Sequence, residues 1–105
     1  MARFDVYPNP GQHSVSTPYL LDVQSELLDG LDSRMVVPLR SLQHFPAVKV
    51  PSRLMPLLTI GGQEYLLETP KMGAVPSRVL KSPVTSLAEE QARITAALDF
   101  LFQGY

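Results

Sequence analysis

Apolar and polar residues alternate with a period of two along several short stretches of this chain. Near the end the pattern switches to a helical period. Arg3 to Tyr7 puts Phe4 and Val6 on one face and Arg3, Asp5 and Tyr7 on the other, as in a half-buried strand. Pro8-Asn9-Pro10-Gly11 stops it with turn chemistry, and a polar loop runs on to Pro18. Tyr19 to Gln24 predicts a second strand with Leu21 and Val23 on one face. Ser25 to Ser33 is a connection whose Asp29-Gly30 pair suits a turn with positive φ. Ser33 to Val37 predicts a third strand that Pro38 ends or puts at an edge. Residues 40–56 read as an irregular excursion with a short strand at Ala47–Val50. Leu57–Ile60 and Glu64–Glu68 flank Gly61-Gly62, the strongest hairpin signal in the chain, because a tight hairpin turn wants positive φ. Met72–Val75 predicts another strand closed by Pro76, and Val79-Leu80 a brief pairing before Pro83.

From Ser86 onward the pattern is helical. Ser86 with Glu89 three residues later predicts a capping box, worth about 1 kcal/mol. Leu87, Ile94, Leu98, Leu101 and Tyr105 fall on one side of the wheel, with Ala97 and Phe102 at its margins. Phe100 projects from the flank beside Arg93 and Ala96. Apolar residues at this spacing form a face that docks on a sheet. Phe100 and the terminal aromatics have two open readings, core packing and contact with a partner. An aromatic side chain buries roughly 150–250 Å², so leaving it in water forgoes a large favourable term.

Composition sharpens this division. All ten prolines lie between Pro8 and Pro83. Proline lacks an N–H and marks strand ends, edges and loops, so the chain divides into a β-rich body, residues 1–83, and a helix over 86–102 with a tail at 103–105. The 105 residues predict one domain with a modest core. Nine Lys and Arg against ten Asp and Glu offer no basic face for direct nucleic-acid binding. MARFDVYPNP has no apolar signal region, and no run approaches a membrane span, so a cytoplasmic protein is expected.

The inventory argues against enzyme chemistry and against a cofactor. With no cysteine, and His13 and His44 the only histidines, no credible zinc or iron cage exists. Gly61-Gly62 precedes no helix and is no phosphate loop. No serine sits in a G-x-S-x-G elbow. The carboxylates at Glu26–Asp32 and Glu64–Glu68 read as solvated loop or edge positions. Leu27-Leu28 sits in the otherwise polar SELLDGLD, and two readings stay open: a loop that tucks both leucines under the sheet, or an exposed apolar pair at a partner site.

LLDVQSELLDGLDSRMVVPL, Leu20 to Leu39, resembles the signature region of the CcdB toxin family. Met72-Gly73-Ala74-Val75-Pro76 and the closing Phe102-x-Gly104-x resemble it too, in the same order and spacing, over nearly the whole chain. The resemblance implies a mainly β fold with a C-terminal α-helix, a small SH3-like barrel or sheet of the CcdB/PemK type, and a homodimer. It implies a non-enzymatic toxin of a type II toxin–antitoxin system, which binds the DNA gyrase A subunit and traps the gyrase–DNA cleavage complex. A cognate CcdA-type antitoxin would neutralise it and autoregulate transcription with it. Carried over by position, the gyrase contacts fall on Leu27, Leu28, Asp99, Phe102, Gln103, Gly104 and Tyr105. The best-known member of the family has tryptophan where Gln103 stands, and the family has asparagine at Asp99 and usually isoleucine at Tyr105. Losing a cation–π contact at Gln103 weakens binding by roughly 0.5–2 kcal/mol. A disordered, acidic antitoxin segment wants cations, and Arg34, Arg40, Lys49 and Arg53 in or beside the middle loops are the candidates. The alternatives are a MazF/Kid-like endoribonuclease on a related fold and a weakened CcdB homologue that mainly binds antitoxin.

Overall fold

The computed structural model describes residues 2–42 and 52–104. The expected strand at Ala47–Val50 lies outside them. The described chain forms one curled, open antiparallel sheet with a single α-helix against one face. In chain order the strands are β1 (Asp5–Pro8), β2 (Tyr19–Asp22), β3 (Ser33–Ser41), β4 (Leu57–Ile60), β5 (Gln63–Leu67), β6 (Gly73–Pro76) and β7 (Thr85–Ser86). The helix α1 spans Gln91–Gln103. The sheet runs β4-β5-β3-β2-β1-β7, and β6 also pairs with β3. The expectation of a mainly β fold closed by a helix holds. The β4–β5 hairpin forms where expected, with Gly61 at φ 59° and Gly62 at φ 82°.

Strand β3 departs from its prediction. It runs nine residues, straight through Pro38, at the centre of the sheet. One side of β3 pairs with β2 over Val36–Leu39. The other side is shared, with Ser33–Val36 on β6 and Leu39–Ser41 on β5. Pro38 falls at the gap between them. In an antiparallel ladder a residue's N–H and C=O point to the same side. The Pro38 carbonyl accepts from the Glu68 amide at 2.9 Å, so its ring nitrogen faces that gap as well. The Glu68 carbonyl, which a non-proline residue there would have used, accepts instead from the Lys71 amide at 2.9 Å and opens a 3-10 turn over Thr69–Lys71. The missing donor therefore leaves no orphan acceptor.

Both faces of the central strands are covered. On the helix side Val6, Leu21, Val37, Leu39, Leu58 and Leu67 meet Ile94 and Ala97, all fully buried. Complete burial of Ile94 contributes about 1.5–3 kcal/mol. Leu98 packs at the margin of this core. Ala97, expected at the margin, sits at the centre, where its small side chain lets the helix lie close to the sheet. On the opposite face Tyr7, Leu20, Val36 and Leu80 form a second cluster, roofed by Val75 and Val79. Val79 belongs to a 3-10 turn over Ser77–Val79 rather than to the brief strand expected there.

The helix also starts later than its capping signature predicts. Thr85–Ser86 pairs with β1, and the Leu87 amide donates to the Phe4 carbonyl at 2.8 Å. Ser86 Oγ accepts from the Ala88 amide at 3.2 Å, not from Glu89, so no capping box forms. A 3-10 turn over Ala88–Glu90 then leads into α1. Strand pairing with β1 has overridden the local signal.

Candidate functional site

The signature loop between β2 and β3 is built from a 3-10 turn over Glu26–Leu28. Ser25 caps it, its Oγ accepting from the Leu27 amide at 3.2 Å. None of its three residues is buried, and Leu27 is 95% exposed and Leu28 49%. The structure leaves the pair exposed rather than tucked under the sheet. Leu27 lines a shallow depression with Arg3, Phe4, Ser25, Glu26, Ala88 and Gln91.

The floor of that depression is unusual. Phe4 is buried with φ at 73°, a left-handed backbone that bulky residues rarely adopt. It occupies the third position of a turn closed by the Asp5 amide on the Ala2 carbonyl, where positive φ is normally left to glycine. Three contacts hold it there. Its amide donates to the Asp22 carbonyl at 2.7 Å, its carbonyl accepts from Leu87, and the Arg3 guanidinium covers its ring at 4.6 Å. No sequence signal marks this conformation, because nothing in RFDVY reports φ.

Behind the loop lies a buried ion pair. Strand alternation puts Asp22 and Arg34 on the face away from the helix, beside Leu20 and Val36. Both side chains are fully buried, with Arg34 Nη2 2.7 Å and Nε 2.8 Å from Asp22 Oδ2. Arg34 Nη1 reaches out to Asp29 Oδ1 at 2.9 Å, and Nη2 donates to the Gln24 carbonyl at 3.4 Å. Burial lifts the Asp22 carboxyl above its ordinary value, against the Gln24 amide and Arg34, which lower it. The same pair accounts for a departure from the sequence reading. Arg34, expected at an antitoxin surface, points inward with its donors committed, since an unpaired buried guanidinium is costly. Asp29, a half-exposed loop carboxylate in keeping with the expectation, also holds that guanidinium.

The other antitoxin candidates differ in placement. Arg40 is partly exposed, 3.7 Å from the buried Glu68 carboxylate, in a groove that also contains His13 and Lys71. Glu68 is thus an interior partner of Arg40 and Lys71, not a solvated edge residue. Arg53 lies over the Phe100 ring at 4.9 Å, which half-buries that aromatic within the chain. Lys49 and His44 lie outside the described residues.

The last turn of α1 presents the remaining candidates. Asp99, Phe102, Gln103 and Gly104 are exposed, and Phe102 at 71% is the only exposed aromatic among the described residues. Gly104 ends the helix in the left-handed conformation, φ 80°, its amide donating to the Phe100 carbonyl at 2.9 Å. Only glycine takes that φ without penalty, so it sets where the chain leaves the helix axis. Tyr105 lies outside the described residues. The two candidate groups are not adjacent within one chain. Leu27 sits beside Gln91, and about 16 Å of helix separates Gln91 from Phe102 at roughly 1.5 Å per residue.

Among the described residues no cluster of His, Asp or Glu is placed to hold a metal ion. No helix there is long and apolar enough to cross a membrane. Compared with known protein families, residues 3–104 match the family model described as CcdB protein.

Proposed function

The chain belongs to the CcdB family of toxins, and from that membership we propose that it binds the A subunit of DNA gyrase and traps the enzyme with its DNA cleaved. In this reading it is the toxin of a type II toxin–antitoxin pair, works as a homodimer without enzymatic activity of its own, and is neutralised by a CcdA-type antitoxin. The observation that carries it is Phe102. A large aromatic held 71% in solvent on a capped helix end is an anchor waiting for a pocket. Leu27 supplies a second apolar contact, and a two-fold dimer would repeat both groups for a two-fold target. Arg40 and Arg53 remain the antitoxin candidates, with Lys49.

The test is a plasmid cleavage assay with purified toxin and gyrase. Trapping predicts linear DNA after detergent and protease treatment, and removal of Gln103–Tyr105 abolishes it while the fold persists. No cleavage at micromolar toxin, with antitoxin binding retained, would instead identify a weakened homologue, as Gln103 and Asp99 suggest. Sequence-specific cutting of unstructured RNA would identify a ribonuclease.

A further inference from the structure

A three-residue 3-10 turn with no buried side chain has little intrinsic stability. Yet Leu27 and Leu28 sit on such a turn, and an apolar contact is useful only if it is held in place before binding. What holds it is not hydrophobic packing. Glu26 Oε1 accepts from the Arg3 amide at 3.2 Å, and two further polar side chains tie the turn to the sheet. Gln24 donates through Nε2 to the carbonyls of Leu28 at 3.3 Å and Ser33 at 3.2 Å, while its Oε1 accepts from the Met35 amide at 3.0 Å. That bridges the two ends of the loop. Asp29 follows Leu28 directly, and its carboxylate takes Nη1 of Arg34, a guanidinium already locked on Asp22. The chain from β2 through β3 to the loop is continuous: Asp22, Arg34, Asp29.

We propose that Asp29, acting through the buried Arg34, is the positioning residue that fixes the Leu27–Leu28 turn in its binding-ready form. Asp29 touches no partner itself in this assignment. Its half-exposed carboxylate is the movable end of the link, and Asp22–Arg34 is the immovable end. A buried guanidinium confers little net stability over apolar residues of the same volume, so its fork is better understood as an orienting device than as a source of stability. The consequence for target binding rests on the gyrase reading above, whereas the consequence for the turn does not.

Two readouts keep these apart. The first is amide hydrogen exchange on Asp29→Ala, Asp29→Asn and Arg34→Lys beside the unaltered protein, with urea unfolding in parallel. Exchange at Leu28, Asp29 and Leu31, whose amides close the turn, should quicken roughly five- to thirtyfold in Asp29→Ala, less than a fully buried charged hydrogen bond would give because the carboxylate is half exposed and screened. Asp29→Asn, which keeps an acceptor, should recover part of the loss; because the contact exists only in the closed turn, the unfolding stability of Asp29→Ala falls by no more than the same factor. Unchanged exchange at these amides overturns the proposal, as does equally faster exchange at sheet amides that open locally, away from the loop. If Arg34→Lys does not fold, the two Asp29 variants still decide it. The second readout is a cycle in the gyrase assay. Asp29→Ala should raise the toxin concentration for half-maximal trapping, and the same change in a Leu27→Ala, Leu28→Ala background should add nothing. An equal increment in both backgrounds overturns positioning in favour of general destabilisation. If the unaltered protein traps no gyrase, the gyrase reading fails and the exchange result alone decides the role of Asp29.

Discussion

Replacing Phe102 by alanine separates a binding surface from a structural one. A phenylalanine side chain taken fully out of water contributes about 1.5–3 kcal/mol. In the folded chain Phe102 remains 71% exposed, so less than a third of that contribution belongs to folding. The loss on truncation is below about 1 kcal/mol, and the better helix propensity of alanine offsets roughly half a kcal/mol of it. Folding stability should therefore hardly move. The remaining two-thirds, about 1–2 kcal/mol, is available to a partner, which corresponds to a roughly five- to thirtyfold weaker complex. The paired measurements are a urea unfolding curve and a titration of gyrase cleavage. The expected result is a nearly unchanged midpoint with a rightward shift of the cleavage curve. A stability loss of about 3 kcal/mol or more, the size of a core phenylalanine deletion, would show that Phe102 packs inside. An unshifted cleavage curve would remove it from the gyrase surface.

Two further outcomes follow from features of the same chain. Gly104→Ala forces a Cβ into φ 80° with no atom of the described residues within 4 Å to clash with. The cost is thus conformational alone, about 1 kcal/mol, read as a lower thermal midpoint; no loss would mean that the helix end is not held in the left-handed conformation. Asp22 has a folded-state pKa raised above 3.8 by burial. The folded protein therefore holds its proton to higher pH than the unfolded chain, and this group's contribution is largest below pH 3.8 and declines as pH rises through the raised value. The stability of the unaltered protein minus that of Asp22→Asn should fall over that window, and a difference that grows with pH would show that Arg34 outweighs burial.

What the sequence revealed depended on how local each signal was. The hairpin at Gly61-Gly62 was legible because positive φ at two adjacent residues leaves few residue choices. The Gly104 cap is legible on the same ground. The central strand was misjudged because proline excludes a donor, and whether a donor is needed depends on Glu68 and Lys71, thirty residues away in sequence. The helix start was misjudged because Ser86 has two uses, a cap or a strand partner for Asp5, and only the fold decides between them. At the site, the exposure of Leu27 and Phe102 could be suspected from apolar residues with no local partner. The inward turn of Arg34 could not, because the residues that cover its face of the strand are distant in sequence. That face is covered by Leu80 and Val79, which lie more than forty residues further on.

Pro38 has a consequence for errors of assembly. A strand flanked by two different partners on one side is open to slippage, because either partner could slide along it by two residues and keep its side chains on the same face. Sliding β6 toward β5 by that amount would bring Pro38 into the β6 ladder, where it has no amide to offer. Sliding β5 the other way meets the same obstacle. The proline thus acts as a stop between two registers, and its replacement would matter less to the stability of the correct pairing than to how many incorrect pairings the chain can enter.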